Sequence, residues 1–145
     1  MEDITVNMDK NKDKDIHVLL VDDEYNIVFV NQMVLEQMGY VVQSAHSGRE
    51  AIALIEKYGD VIDVIITDYL MPGMNGIELA IEASRYMADK PIILYTGKAE
   101  YIDKKQIAEA RISKVIVKPF KMKDLDIMIR DMLNTKTEGS GLRTI

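Results

Sequence analysis

The stretch His17-Val18-Leu19-Leu20-Val21-Asp22-Asp23-Glu24 decides the fold class. An aliphatic run with no polar alternation stops abruptly at three acids, which fits a short strand buried on both faces and ending at a polar edge. Four further runs have the same character: Val41–Ala45, Val61–Thr67, Pro91–Tyr95 and Lys114–Val117. Between the runs lie longer amphipathic stretches. The last places Met122, Leu125, Ile129, Met132 and Leu133 at helical spacing. The second opens with Ser47-Gly48-Arg49-Glu50, a capping-box pattern, and carries Ile52 and Ile55 on one face. In the first, Ile27-Val28-Phe29-Val30 suits a strand by propensity. Val30, Val34 and Met38 nevertheless continue at i,i+4, and Gly39 supplies a stop, so a helix is predicted. The fourth, Glu100–Ala110, is only weakly amphipathic. Five strands alternating with five helices predict an α/β protein, a doubly wound parallel sheet with right-handed crossovers. Sequence order alone leaves the strand order open, but it directs attention to the carboxyl ends of the strands.

The chain has 145 residues, enough for one domain with a single good core. Residues 1–15 end in a polar run and are expected to form a flexible extension, and 136–145, with Gly-Ser-Gly, a flexible tail or linker. The domain proper is expected over 16–135. With no cysteine and 2 histidines, disulfide scaffolds, thiolate zinc sites and cysteine nucleophiles are excluded. The 18 basic and 24 acidic residues give a net charge of −6, whose bulk field repels nucleic acid and anionic membranes. No apolar run approaches the ~20 residues of a membrane span, and the amino terminus lacks the order of a signal peptide. A soluble, cytoplasmic protein with neither nucleic-acid nor membrane partners is expected.

Four strands deliver polar groups to one edge: Asp22 and Asp23 after the first, Asp68 after the third, Thr96 after the fourth and Lys118 after the fifth. Each also has a structural explanation. An acid after the first strand can cap the next helix, Asp68 can open the turn before Met71-Pro72-Gly73, Thr96 can cap, and Lys118 can be solvated. Together the three aspartates repel one another unless a cation intervenes, and oxygen ligands without histidine or cysteine suit Mg²⁺. A lysine and a hydroxyl beside such a site suit phosphoryl chemistry. Neither G-x-x-x-x-G-K-[ST] nor G-x-G-x-x-G is present, which disfavours nucleotide binding and makes a carboxylate nucleophile the leading idea. Asp63, near the start of the third strand, lies at the opposite edge and reads as structural. Tyr69 reads as packing or a pocket rim rather than a catalyst, and His46 as a surface residue.

The set Asp22-Asp23, Asp68 followed by Met71-Pro72-Gly73-Met74-Asn75-Gly76, Thr96-Gly97 and Lys118-Pro119-Phe120 closely resembles the receiver domain of two-component response regulators, over about residues 16–135. The resemblance implies a flavodoxin-like (βα)5 fold with strand order 2-1-3-4-5. It implies that Asp68 accepts a phosphoryl group from a histidine kinase or histidine phosphotransfer protein, with self-phosphorylation and self-dephosphorylation as the chain's only chemistry. Asp23 and Asp68 would bind Mg²⁺ directly with the backbone carbonyl of Leu70, and Asp22 largely through water. Lys118 would pair with Asp68 and then with the phosphoryl group, Thr96 would move toward a phosphoryl oxygen, and Lys118-Pro119 would be cis. A downstream protein target would bind the face of the fourth helix, fifth strand and fifth helix, and a homodimer is compatible with this reading.

One departure stands out: where many receivers carry an aromatic residue three positions before the lysine, this chain has Val115. Output is therefore expected to depend on backbone shifts near Thr96 and the fourth helix. Val115→Ala should leave both phosphorylation and partner binding in place, and loss of binding alone would contradict this. The rival readings are a receiver-fold scaffold that signals without phosphate and, less favoured, a flavin or nucleotide carrier.

Overall fold

A computed structural model describes residues 15–138. Of the expected extension over 1–15 only Asp15 is described, and of the expected tail over 136–145 residues 136–138 are described and continue the last helix; the rest lie outside the described residues. The order is β1 (His17–Val21), α1 (Tyr25–Gln37), β2 (Val41–Ala45), α2 (Gly48–Tyr58), β3 (Val64–Asp68), α3 (Gly76–Ala83), β4 (Ile92–Thr96), a 3-10 turn (Ala99–Tyr101), α4 (Lys104–Glu109), β5 (Lys114–Val117) and α5 (Met122–Glu138). All strands are parallel, in the order β2-β1-β3-β4-β5. The flavodoxin-like topology implied by the resemblance is the one observed. Among the described residues no helix is long and apolar enough to cross a membrane.

Two apolar layers sandwich the sheet, because successive strand residues point to opposite faces. Leu19, Val21, Ile65 and Leu94 pack with Ala51, Ile55, Leu79 and Ala80 of α2 and α3. On the other face Val18, Leu20, Ile66, Ile93 and Tyr95 pack with Val28 and Leu35 of α1 and Leu125 and Ile129 of α5. With both faces covered, β1, β3 and β4 have no solvent side, which is why their sequences carry no polar alternation.

The ambiguous first stretch is a helix. Its end explains why: Gly39 at φ +103 donates to Glu36 O at 3.0 Å, and Tyr40 N donates to Leu35 O at 3.1 Å, the two bonds of a Schellman motif. Arg130 of α5, held on its own helix by a bond to Asp126 Oδ1 at 2.8 Å, ties this end down by donating to Met38 O at 3.0 Å. The third strand starts later than its apolar run, at Val64 rather than Val61. Val61 N and Ile62 N still bond to Tyr58 O at 2.9 and 3.1 Å, completing the exit of α2. The fourth strand is shifted by one residue, to Ile92–Thr96. The fourth helix is split rather than continuous over Glu100–Ala110. Asp103 accepts from Lys105 N at 2.9 Å and so opens a new helix, a local competition that short polar side chains win readily. The resulting α4 contains no fully buried residue, in keeping with its weak amphipathicity. At α2, Ser47 Oγ accepts from Glu50 N at 3.1 Å, but Glu50 reaches back to His46 N at 2.8 Å, one residue earlier than a capping box requires. The complete capping box is at α3, between Asn75 and Glu78.

Candidate functional site

Parallel strands put all their carboxyl ends at one edge, and there the separated polar residues meet. Asp22 and Asp23 follow β1, while Asp68 and Thr96 are the last residues of β3 and β4. Asp22, Asp23 and Asp68 each present a carboxylate oxygen within 4.8 Å of the others. Asp22 is fully buried and Asp68 is 7 % exposed. Lys118, just beyond β5 and followed by a cis bond to Pro119, places Nζ 3.2 Å from Asp68 Oδ1.

Burial raises the Asp68 carboxyl to about 6, and the neighbouring Asp22 charge adds to the effect. Lys118 opposes the rise by its charge and hydrogen bond, and Tyr69 N–H by another. The lysine thus compensates the buried acids only in part. That deficit, with a donor set of carboxylate oxygens alone, fits a hard divalent cation such as Mg²⁺.

Thr96 is 2 % exposed, and its Oγ1 accepts from Lys98 N at 3.0 Å. The hydroxyl proton takes no part in that bond and stays available for donation. Leu70 lies on the loop after Asp68 and is 62 % exposed. Val115 is half-buried against the α2/α3 layer. Asp63 sits at the opposite edge in a reciprocal pair: its N–H donates to His17 O, and His17 N donates to its Oδ2, both at 2.8 Å. That is a strand-pairing role.

The loop that follows Asp68 is held by backbone bonds, Tyr69 N to Tyr95 O at 3.0 Å and Gly76 N to Tyr69 O at 2.8 Å. At position 76 a Cβ would stand 2.5 Å from Asp68 O and 2.5 Å from Leu94 Cδ1. The backbone oxygen cannot yield as a side chain would. Gly76→Ala should therefore cost about 1–3 kcal/mol in urea unfolding, with NMR shifts concentrated around Asp68.

One feature of this edge was not singled out from the sequence. Tyr95, one residue before Thr96, is buried and donates its hydroxyl to Asp22 Oδ2 at 2.7 Å. Burial and the Asp22 charge keep the Tyr95 phenol protonated far into the alkaline range. The available signal was a tyrosine inside an otherwise aliphatic strand, since a buried phenol needs a hydrogen-bond partner. His46 is half-buried rather than a plain surface residue, stacked on Tyr25 with ring centroids 3.7 Å apart.

Comparison with known proteins agrees with this geometry. A family model described as the response regulator receiver domain matches residues 18–130. The response regulator SaeR of Staphylococcus aureus (strain USA300) is 34 % identical over 117 residues, covering 81 % of this chain and 50 % of SaeR. The chain thus spans about half the length of the curated relatives it matches. A response regulator receiver domain protein from Clostridium thermocellum superposes with a TM-score of 0.77 at 27 % identity, covering 84 % of this chain and 97 % of its own. TrrA of Thermotoga maritima, solved in complex with Mg(2+)-BeF, gives a TM-score of 0.69 at 31 % identity, over 80 % of this chain and 97 % of TrrA.

Proposed function

The chain belongs to the response regulator receiver domain family, and from that premise we propose that Asp68 is its phosphoryl acceptor and that acceptance switches partner binding in a two-component phosphorelay. The observation that carries this reading is the pairing of Lys118 Nζ with Asp68 Oδ1 at 3.2 Å inside a cluster of three aspartates. A Mg²⁺ ion fits that cluster; Asp23, Asp68 and the Leu70 carbonyl would hold it directly and Asp22 through water. When bound it would neutralise the acids and polarise phosphoryl oxygens.

The chain's own residues do the rest. In the transfer, a carboxylate oxygen of Asp68 attacks phosphorus, the P–N bond of the donor's phosphohistidine breaks, and the electron pair leaves on the imidazole nitrogen. Dephosphorylation has water attack the same phosphorus and returns the Asp68 carboxylate. Lys118 holds Asp68 beforehand and offsets the charge of the acyl phosphate afterwards. The Thr96 hydroxyl, with its proton unused, donates to a phosphoryl oxygen. The chain is a signalling domain whose chemistry is confined to this bond.

Donor and target need separate surfaces. A kinase or phosphotransfer histidine must approach the carboxyl edge, where α1 begins immediately after Glu24 and exposes Tyr25 (65 %) and Phe29 (66 %). The α4–β5–α5 face, with Val117 48 % exposed on the edge strand, suits a downstream protein or a second copy. The exclusion of nucleic acid drawn from net charge is not retained, because a bulk-field argument on this chain does not extend to the half of its relatives that it does not span.

Intact mass after incubation with a small acyl-phosphate donor tests the proposal. One added phosphoryl group with Mg²⁺ and none with EDTA is expected. An unmodified protein that also fails to form a beryllofluoride complex would favour the phosphate-independent scaffold.

A further inference from the structure

We propose that Tyr95 is the positioning residue of the carboxylate pocket, its hydroxyl fixing Asp22 for a hard cation and its ring seating Lys118 beside Asp68. This rests on the reading of Asp68 as phosphoryl acceptor and adds the residue that prepares its pocket.

Tyr95 touches both halves of the site. Its hydroxyl donates to Asp22 Oδ2 at 2.7 Å, while Asp22 Oδ1 accepts from Glu24 N at 3.0 Å. With a donor on each oxygen, the carboxylate plane is fixed. The ring of the same tyrosine lies 4.8 Å from Lys118 Nζ, the ammonium that pairs with Asp68. The Phe120 ring packs on Tyr95 at 5.7 Å and a 57° tilt, which limits the tyrosine's own freedom. Because Tyr95 directly precedes Thr96, one short piece of β4 carries contacts to the acid, the lysine and the hydroxyl.

A wholly buried carboxylate is tolerated only with donors on its oxygens, and charge-assisted bonds are the strong ones. Without the phenol, Asp22 keeps a single donor and turns about its side-chain dihedrals, so a cation must order it again on binding. The lysine is a flexible chain whose ammonium side chain is 35 % exposed. An aromatic face narrows its positions by cation–π attraction, which an aliphatic residue of similar size does not supply. The core needs only apolar volume at position 95, and leucine or methionine would provide it. The hydroxyl and ring serve the pocket.

Tyr95→Phe and Tyr95→Met, prepared in the full chain, separate the two parts. Calorimetric titration of Tyr95→Phe with Mg²⁺ should give a dissociation constant about 5–10-fold weaker than the parent's, the order expected for the net contribution of one hydrogen bond. The same factor should appear in the Mg²⁺ concentration for half-maximal adduct formation, rather than in the rate at saturation. Mg²⁺ should perturb the parent's tyrosine absorbance, and that difference band should vanish in the variant. Tyr95→Met should in addition slow adduct formation at saturating Mg²⁺ by about 5-fold or more, as the ammonium loses its seat. Unfolding with EDTA present checks that each variant is folded, and Tyr95→Phe alone decides the hydroxyl if the methionine variant is not. A Tyr95→Phe affinity equal to or tighter than the parent's overturns the proposal, and a folded Tyr95→Met no slower than Tyr95→Phe overturns the role of the ring. A parent that neither binds Mg²⁺ nor forms an adduct defeats the reading of Asp68 itself, a different failure from a functional parent matched by its variants.

Discussion

Asp68→Asn should form no phosphoryl adduct under any condition, and in the absence of metal it should be more stable than the parent at neutral pH. The loss is complete because an amide is no nucleophile toward phosphorus at neutral pH, and no other carboxylate at this edge is paired with Lys118 in the described residues. The gain follows from the raised carboxyl. Asp68 titrates near 6 in the folded protein against 3.8 for its ordinary value, chiefly because of burial and then the Asp22 charge. A group whose folded value is raised contributes stability below its unfolded value and loses it as pH rises through the folded value. The metal-free parent should therefore weaken between about pH 4 and 7 by roughly 3 kcal/mol from this group alone. Asparagine, neutral throughout, escapes that loss. Urea unfolding in EDTA should show the two proteins nearly equal near pH 4 and the variant ahead by roughly 2–3 kcal/mol at pH 7.5. Added Mg²⁺ should stabilise the parent more than the variant and close the gap.

Lys118→Met should pull two observables in opposite directions. The lysine is the cation nearest Asp68, at 3.2 Å, and it competes with a metal for the same negative charge. Its removal leaves the acids less compensated, so Mg²⁺ affinity should rise several-fold. Phosphoryl acceptance should nevertheless fall on the order of 100-fold, the scale seen when one preorganised charge-stabilising group is removed from a transfer site. A variant with both affinity and transfer reduced would place Lys118 in the architecture of the pocket rather than in its chemistry. Methionine keeps most of the apolar stem of the side chain, so the comparison isolates the ammonium that sits over the Tyr95 ring.

The fold was legible because its signals are strong and local. Five Val- and Ile-rich runs mark the parallel strands, with β1, β3 and β4 buried on both faces and the edge strands β2 and β5 partly exposed, and Gly39 marks the end of α1 by its positive φ. The discrepancies fall where apolar composition and hydrogen bonding part company. Val61 and Ile62 read as strand because they are aliphatic, yet their N–H groups finish the turn after α2. Asp103 breaks the fourth helix through one side-chain bond that periodicity does not register. The strand order was not readable from alternation alone and came from the family resemblance. At the site, the sequence placed Asp22, Asp23, Asp68, Thr96 and Lys118 at one edge because parallel strands share a polarity. The closeness of the three aspartates and the Lys118–Asp68 pairing required the structure. Tyr95 was hidden by its strand, where it reads as one more apolar residue until its hydroxyl is seen on Asp22.

The central claim is that this pocket makes an acyl phosphate on one named carboxylate. Reduction with borohydride converts an aspartyl phosphate to homoserine, so the protein should be treated with the small donor and Mg²⁺, reduced, digested and sequenced by mass spectrometry. Homoserine is expected at position 68 and nowhere else, absent when EDTA replaces Mg²⁺. Homoserine at position 22 or 23, or a stable phosphoryl group on His46, would contradict it.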